Sequence, residues 1–143
     1  MDSVKNVVAK FRDRGLKITP QRIAIFHALQ NKINHPSANE IFRSIRLEYP
    51  SISLTTVYKT LETLRDIGEI YELHVSKERV LYDPKNEPHH HLICLKCSRI
   101  ADVPGSQVVE LKAPKSLSHK FSLIYYRVHF YGYCGRCKRA GHS

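Results

Sequence analysis

The chain has 143 residues, of which 42% are apolar, enough for one ordinary domain or two small ones and for a core that argues against disorder. A formal charge of +10 points to a polyanionic partner. No apolar run approaches the roughly 20 residues of a membrane span, and Met1-Asp2-Ser3-Val4-Lys5 lacks the apolar segment of a signal peptide. A cytoplasmic protein without a membrane partner is therefore expected. Residues 1–83 carry 13 Lys/Arg against 10 Asp/Glu, and residues 84–143 carry 10 against 3. Four zinc-bound thiolates would bring about −2 net to the second half, so charge alone supports nucleic-acid binding only weakly.

Val4, Val7, Val8 and Phe11 recur at helical spacing, and Gly15 follows as a stop. Thr19-Pro20 reads as an N-cap followed by proline at the first helical position. The second helix should bury Ile23, Phe26, Leu29 and Ile33. Ser37-Ala38-Asn39-Glu40 fits a capping box and opens a third helix, which buries Ile41, Phe42 and Ile45 and ends before Tyr49-Pro50. A fourth begins at Ser53 and stops at Gly68, with Leu54, Val57, Leu61 and Leu64 on one face. Ile70–Val75 and Arg79–Tyr82, separated by Ser76-Lys77-Glu78, make a hairpin.

Four helices and a hairpin in that order make a winged-helix pattern, with the fourth helix entering the major groove. Its face opposite the apolar stripe shows Thr55, Thr56, Lys59 and Thr63, with Tyr58 on the flank. Hydroxyls, an aromatic ring and a cation near a helix N-terminus suit phosphate anchoring and the reading of base edges. Lys17, ahead of the second helix, is placed to reach a phosphate or the minor groove, and Arg22 joins it among the candidate DNA contacts. The bland alternative is a merely solvated helix face.

Asp83-Pro84-Lys85-Asn86-Glu87-Pro88 carries two prolines and no apolar residue, so a boundary is placed there, between domains 1–83 and 84–143. Beyond it His89–Ile93 and Arg99–Val103 look like strands. A helix candidate at Gln107–His119 is interrupted by Pro114, which should break or shorten it. Phe121–Tyr133 is aromatic and β-branched, hence strand-rich.

All four cysteines fall in two Cys-x-x-Cys pairs, Cys94/Cys97 and Cys134/Cys137. In a reducing compartment this spacing favours a tetrahedral zinc ion. Four thiolates close the coordination shell, so the zinc is structural, tying the end of the second domain to its beginning. Two disulfides, or reversible redox use, are the alternatives. Residues two apart on a strand share a face, so His89 and His91 can converge on one ion while His90 points away. An antiparallel return strand places Asp102 beside them. Two imidazoles and a carboxylate suit Fe, Mn, Zn or Ni better than Mg or Ca. A polar surface strand is the bland alternative.

Gly15-Leu16-Lys17-Ile18-Thr19-Pro20-Gln21-Arg22, His35-Pro36-Ser37-Ala38, Thr55-Thr56-Val57-Tyr58, His89-x-His91-x-x-Cys94-x-x-Cys97 and Tyr131-Gly132-Tyr133-Cys134 together resemble the ferric uptake regulator (Fur) family. The motifs occur in family order over nearly the whole chain. The resemblance implies an α+β protein: an N-terminal winged-helix DNA-binding domain followed by a small α/β dimerisation domain with a four-cysteine zinc site. It implies a homodimeric, metal-dependent repressor, not an enzyme, acting on a double-stranded, palindromic DNA operator. Carried over residue by residue, the regulatory metal site falls on His35, Asp83, His89, His91 and Asp102.

Relatives that sense iron usually offer glutamate at the positions of Asp83 and Asp102, whereas paired aspartates resemble the peroxide-responsive branch. There Fe2+ at this site reacts with hydrogen peroxide and a ligating histidine gains oxygen, whereas Mn2+ supports DNA binding without that chemistry. His35 and His89 occupy the oxidised positions. A further metal site of many relatives is not expected, because Pro88 and Tyr126 stand where histidines would be needed. Lys59 lies where relatives discriminate operators. Three competing readings are an iron, zinc or nickel uptake regulator of the same family, a metallohydrolase or zinc deaminase, and a DNA-binding protein whose only metal is structural. A deaminase would need His-x-Glu and Pro-Cys-x-x-Cys, and neither occurs.

Overall fold

A computed structural model describes residues 2–31, 35–84 and 87–140 of the chain and divides into two units, Met1–Asn86 and Glu87–Ser143. In the first, α1 (Asp2–Asp13) ends where Gly15 takes a φ of +64°, a left-handed conformation that glycine adopts without steric cost. α2 (Pro20–Gln30) starts at Thr19, whose hydroxyl accepts the Arg22 N–H at 3.3 Å. α3 (Ala38–Ile45) carries the full capping box between Ser37 and Glu40. α4 (Leu54–Asp66) is capped by Ser53 and released by Gly68 at φ +76°. The hairpin β1 (Tyr71–His74) and β2 (Val80–Asp83) pairs antiparallel, Tyr71 opposite Asp83.

One core joins these elements: Val7 and Phe11 from α1, Ile25, Phe26 and Leu29 from α2, Ile41 and Ile45 from α3, Val57, Leu61 and Leu64 from α4, and Tyr82 from β2. This arrangement is a winged helix. Ile25 is fully buried where Ile23 was expected, and Ile23 is half-buried. The reason is visible in α2, which has Ile23, Ala24, Ile25, Phe26, Ala28 and Leu29 almost all round, so apolar spacing alone leaves its rotation open. Leu54 and Phe42 are likewise half-buried, Phe42 under the Arg46 guanidinium at 5.3 Å. Ile33 lies outside the described residues. Glu69, after α4, is 1% exposed, and its carboxylate takes the Lys10 ammonium and the Asn6 amide of α1, the pairing that a buried charge requires.

In the second unit β3 (His89–Cys94) lies at the centre of a three-stranded sheet, between antiparallel β4 (Ile100–Pro104) and parallel β5 (His129–Gly132). A parallel neighbour needs a long crossover, and residues 105–128 make it, with a 3-10 turn at Gly105–Gln107 and one helical turn, α5 (Lys115–Ser118). The helix expected across Gln107–His119 is thus reduced to its part beyond Pro114, which stands at the cap of α5 because proline has no N–H to continue a helix. The strand expected from Phe121 shrinks to β5. Aromatic and β-branched residues favour a half-buried pleated surface, but Phe121–Tyr126 forms no strand, and Ile124 is 89% exposed. A last short helix, α6 (Gly135–Arg139), closes the unit. Among the described residues no helix is long and apolar enough to cross a membrane.

Candidate metal centres and nucleic-acid interface

Cys94 ends β3 and Cys97 lies in the turn to β4, where Ser98 takes a φ of +57° and its N–H donates to the Cys94 carbonyl at 2.9 Å. Cys134 caps α6 and Cys137 lies within it. Pairing of β5 with β3 sets Gly132 against Cys94, and the Leu95 N–H reaches the Gly132 carbonyl at 2.8 Å. The two knuckles meet as a result: the four Sγ atoms lie within 4.8 Å of one another. Cys97 and Cys134 Sγ are 3.7 Å apart, close to the roughly 3.8 Å edge of a tetrahedron built on 2.3 Å Zn–S bonds. All four cysteines are free thiols, so disulfide pairing is not adopted.

Thiol chemistry at this cluster is uneven. The N–H groups of Cys97 and Cys134 pull the Cys94 thiol down to about 6, whereas burial pushes Cys137 up to about 12. Thiolates brought together in this way need a cation to offset their charge, and the set fits zinc.

The second group of candidate ligands is distributed over the chain, and each unit holds its share in order. Within the first unit, the Tyr82 N–H donates to the Pro36 carbonyl at 2.9 Å, drawing the His35 segment alongside β2. His35 Nε2 then stands 3.9 Å from Asp83 Oδ1, with Asp83 buried at the end of the strand. Within the second, β3 and β4 pair with His91 opposite Asp102, and His91 Nε2 is 3.7 Å from Asp102 Oδ1. The His89 and His91 rings share one face with centroids 4.7 Å apart. His89 Nδ1–H donates to the Glu87 carbonyl at 2.7 Å, which leaves Nε2 as the ring nitrogen that could ligate an ion. Imidazoles and carboxylates of this kind suit a divalent first-row transition ion.

His90 points the other way, as alternation requires. Its Nδ1 accepts the Val128 N–H at 3.1 Å and its ring stacks on Tyr126 at 5.7 Å. Burial lowers its proton affinity, so the neutral ring acts as a strut between β3 and the approach to β5. Sequence reasoning missed His129. It is the β5 partner of His91, and the two rings are 5.3 Å apart at 77°. Burial, then the neighbouring His91, lower its proton affinity too. The only signal was strand register, which no spacing within a motif reveals.

The candidate DNA contacts separate into two kinds. Lys17, Thr55, Tyr58 and Lys59 are exposed. Thr56 is half-buried, its hydroxyl 2.9 Å from the Ser53 hydroxyl at the cap of α4. Arg22 turns back onto its own unit: its guanidinium donates to the Lys17 carbonyl and lies 5.7 Å over the Phe11 ring. It braces the loop that presents Lys17. Arg65, near the end of α4, reaches Glu72 on β1 at 2.9 Å, tying the helix to the wing.

Comparison with known proteins agrees with this architecture. Peroxide-responsive repressor PerR of Staphylococcus epidermidis is 34% identical over 134 residues, covering 94% of this chain and 89% of that protein. The solved structure of a Campylobacter jejuni peroxide stress regulator matches with a TM-score of 0.70 and 33% identity, covering 91% of this chain and 98% of that one. The Helicobacter pylori ferric uptake regulator Fur, described as having three functional metal binding sites, matches with a TM-score of 0.74 and 25% identity over 96% of this chain and 92% of that one. The family model of the ferric uptake regulator family spans residues 13–131, and the chain belongs to that family.

Proposed function

We propose that this chain is a metal-dependent, DNA-binding transcriptional repressor that works as a homodimer and responds to peroxide. The observation that carries the reading is the pairing of His91 with Asp102 on one sheet and of His35 with Asp83 at the end of the wing, in a chain with the Fur-family winged helix. The regulatory ion would be held by His35, Asp83, His89, His91 and Asp102, and Cys94, Cys97, Cys134 and Cys137 would hold a structural zinc.

His35 and Asp83 precede the linker and the other three ligands follow it. One ion held by all five would select a single arrangement of the two units, and in a dimer a single spacing of the two α4 helices. A two-fold dimer matches a palindromic operator. The face of the sheet opposite the histidines supports self-association: Leu92 and its β5 partner Phe130 are 50% and 42% exposed, an apolar surface that a second copy would cover. Lys17 would engage phosphate, and Thr55, Thr56, Tyr58 and Lys59 would meet the major groove, with Arg22 holding the Lys17 loop in place.

Fe2+ held at the regulatory site would supply electrons for the reduction of peroxide, and an imidazole beside it would be exposed to the oxidant formed. The protein's part is to hold His35 and His89 against the ion. Adding oxygen to either would weaken the grip, free the units and release DNA. Mn2+ in the same ligands would sustain repression without that damage.

Selection from a random duplex pool, run without oxygen and with Mn2+, tests the DNA reading. Inverted repeats should be enriched with metal and lost with a chelator that leaves the structural zinc in place. Equal enrichment with and without metal would reduce the chain to a constitutive DNA-binding protein.

A further inference from the structure

His129 is a histidine the proposed ligand set leaves unused, yet it stands in the same row. β3 pairs antiparallel with β4 and parallel with β5, with Asp102 and His129 both opposite His91. Residues opposite one another on paired strands project to the same face, so Asp102, His91 and His129 form a line across the sheet with His89 beside it on β3. The His129 ring is 5.3 Å from that of His91. Its Nε2 is buried and has no hydrogen-bond partner among the described residues. A buried nitrogen without a protein partner is uncommon and costly, and calls for a further partner, which an ion held in the same row would provide. Tyr131, two residues on, flanks the ring at 6.3 Å without bonding to that nitrogen.

We infer that His129 is a further nitrogen ligand of the regulatory metal site, and that it biases the site against Mn2+ and toward later first-row ions such as Fe2+ and Co2+. This rests on the reading of His91 and Asp102 as metal ligands. Each imidazole added to a carboxylate set favours ions further along the series, among which Mn2+ binds most weakly and is the most content with oxygen donors. His129 therefore sets how readily the peroxide-reactive ion displaces the unreactive one. No ligand spacing announces it, because it reaches the row only through the parallel pairing of β5.

The test uses the full chain with its structural zinc in place and the regulatory site emptied. Co2+ and Mn2+ are titrated without oxygen into the wild type, His129→Gln, His129→Phe and Asp102→Ala. Phenylalanine keeps the ring packing against His91 but removes the nitrogen. Both His129 variants should lose Co2+ affinity about tenfold or more, in line with perturbed metal sites, with a much smaller loss for Mn2+. The proton spectrum of the Co2+ form should lose one hyperfine-shifted imidazole N–H signal. A Phe variant with the wild-type Co2+/Mn2+ ratio and all N–H signals would assign His129 to packing and overturn the inference. So would loss of structural zinc in both variants, which would make the ring part of the fold. Asp102→Ala separates the layers: unchanged Co2+ binding there would sink the ligand reading itself, whatever His129 does.

Discussion

Cys94→Ser should unfold the second unit while leaving the first intact. Cys94 ends the central strand of the sheet and contributes one of four Sγ atoms that lie within 4.8 Å of one another. Among the described residues, Ile93, Cys94 and Cys137 are the buried apolar side chains of this unit, against a continuous core from Val7 to Tyr82 in the first. So small a core cannot offset the ordering entropy of its residues. Zinc in such sites contributes on the order of 10 kcal/mol or more of apparent binding free energy, which is folding free energy where no site exists in the unfolded chain. The variant should therefore lose its bound zinc, and limited proteolysis should cut beyond the linker while the winged helix resists. Retention of zinc and of protease resistance would show that three thiols suffice and that the core is larger than it looks.

Asp102→Ala should abolish metal-stimulated DNA binding and keep the structural zinc. Asp102 stands across from His91 in the β3–β4 register, 3.7 Å from its Nε2, and among the described residues it is the carboxylate that the second unit brings to the histidine row. Losing it leaves the ion with imidazoles there and weakens the hold on the regulatory metal at least tenfold, or about 1.4 kcal/mol. Binding measured in a gel shift with the structural zinc in place, no free zinc and limiting Mn2+ should fall to the level of the wild type without regulatory metal, with Asp102→Glu recovering part of it. Zinc content and thermal unfolding of the variant should be unchanged. Undiminished stimulation would remove Asp102 from the site.

The winged helix is legible because its signals are local. Thr19, Ser37 and Ser53 cap helices through side-chain contacts within three residues, and Gly15 and Gly68 end helices by adopting a positive φ. The phase of α2 is not local: only the packed core chooses Ile25 over Ile23. In the second half the cysteine knuckles are legible, since two residues between thiols is a chemical requirement of the ion. Opposition of His91 and Asp102 is legible as well, because a short turn between antiparallel strands sets their register. His129 and the shortness of β5 are not, because a parallel strand after a long crossover has no register visible in its own residues. Phe121–Tyr126 misleads for a related reason: side chains that look like a strand's buried face remain exposed within a single chain, consistent with burial against a second copy. Arg22 has a role that its place in the motif does not announce. A cation beside a DNA-binding motif invites a phosphate, and its guanidinium also donates to the Lys17 carbonyl and lies over the Phe11 ring, contacts that only the packed unit shows.

Peroxide sensing is proposed to run through a metal held by these histidines and aspartates, whose loss ends repression. Its most direct test is the mass of the peptides carrying His35 and His89 after brief peroxide treatment of protein loaded with Fe2+ or Mn2+ without oxygen. One added oxygen on His35 or His89 in the Fe2+ form, and none in the Mn2+ form, is the expected result. Unmodified histidines in both forms would contradict peroxide sensing and leave a repressor that reads only its metal.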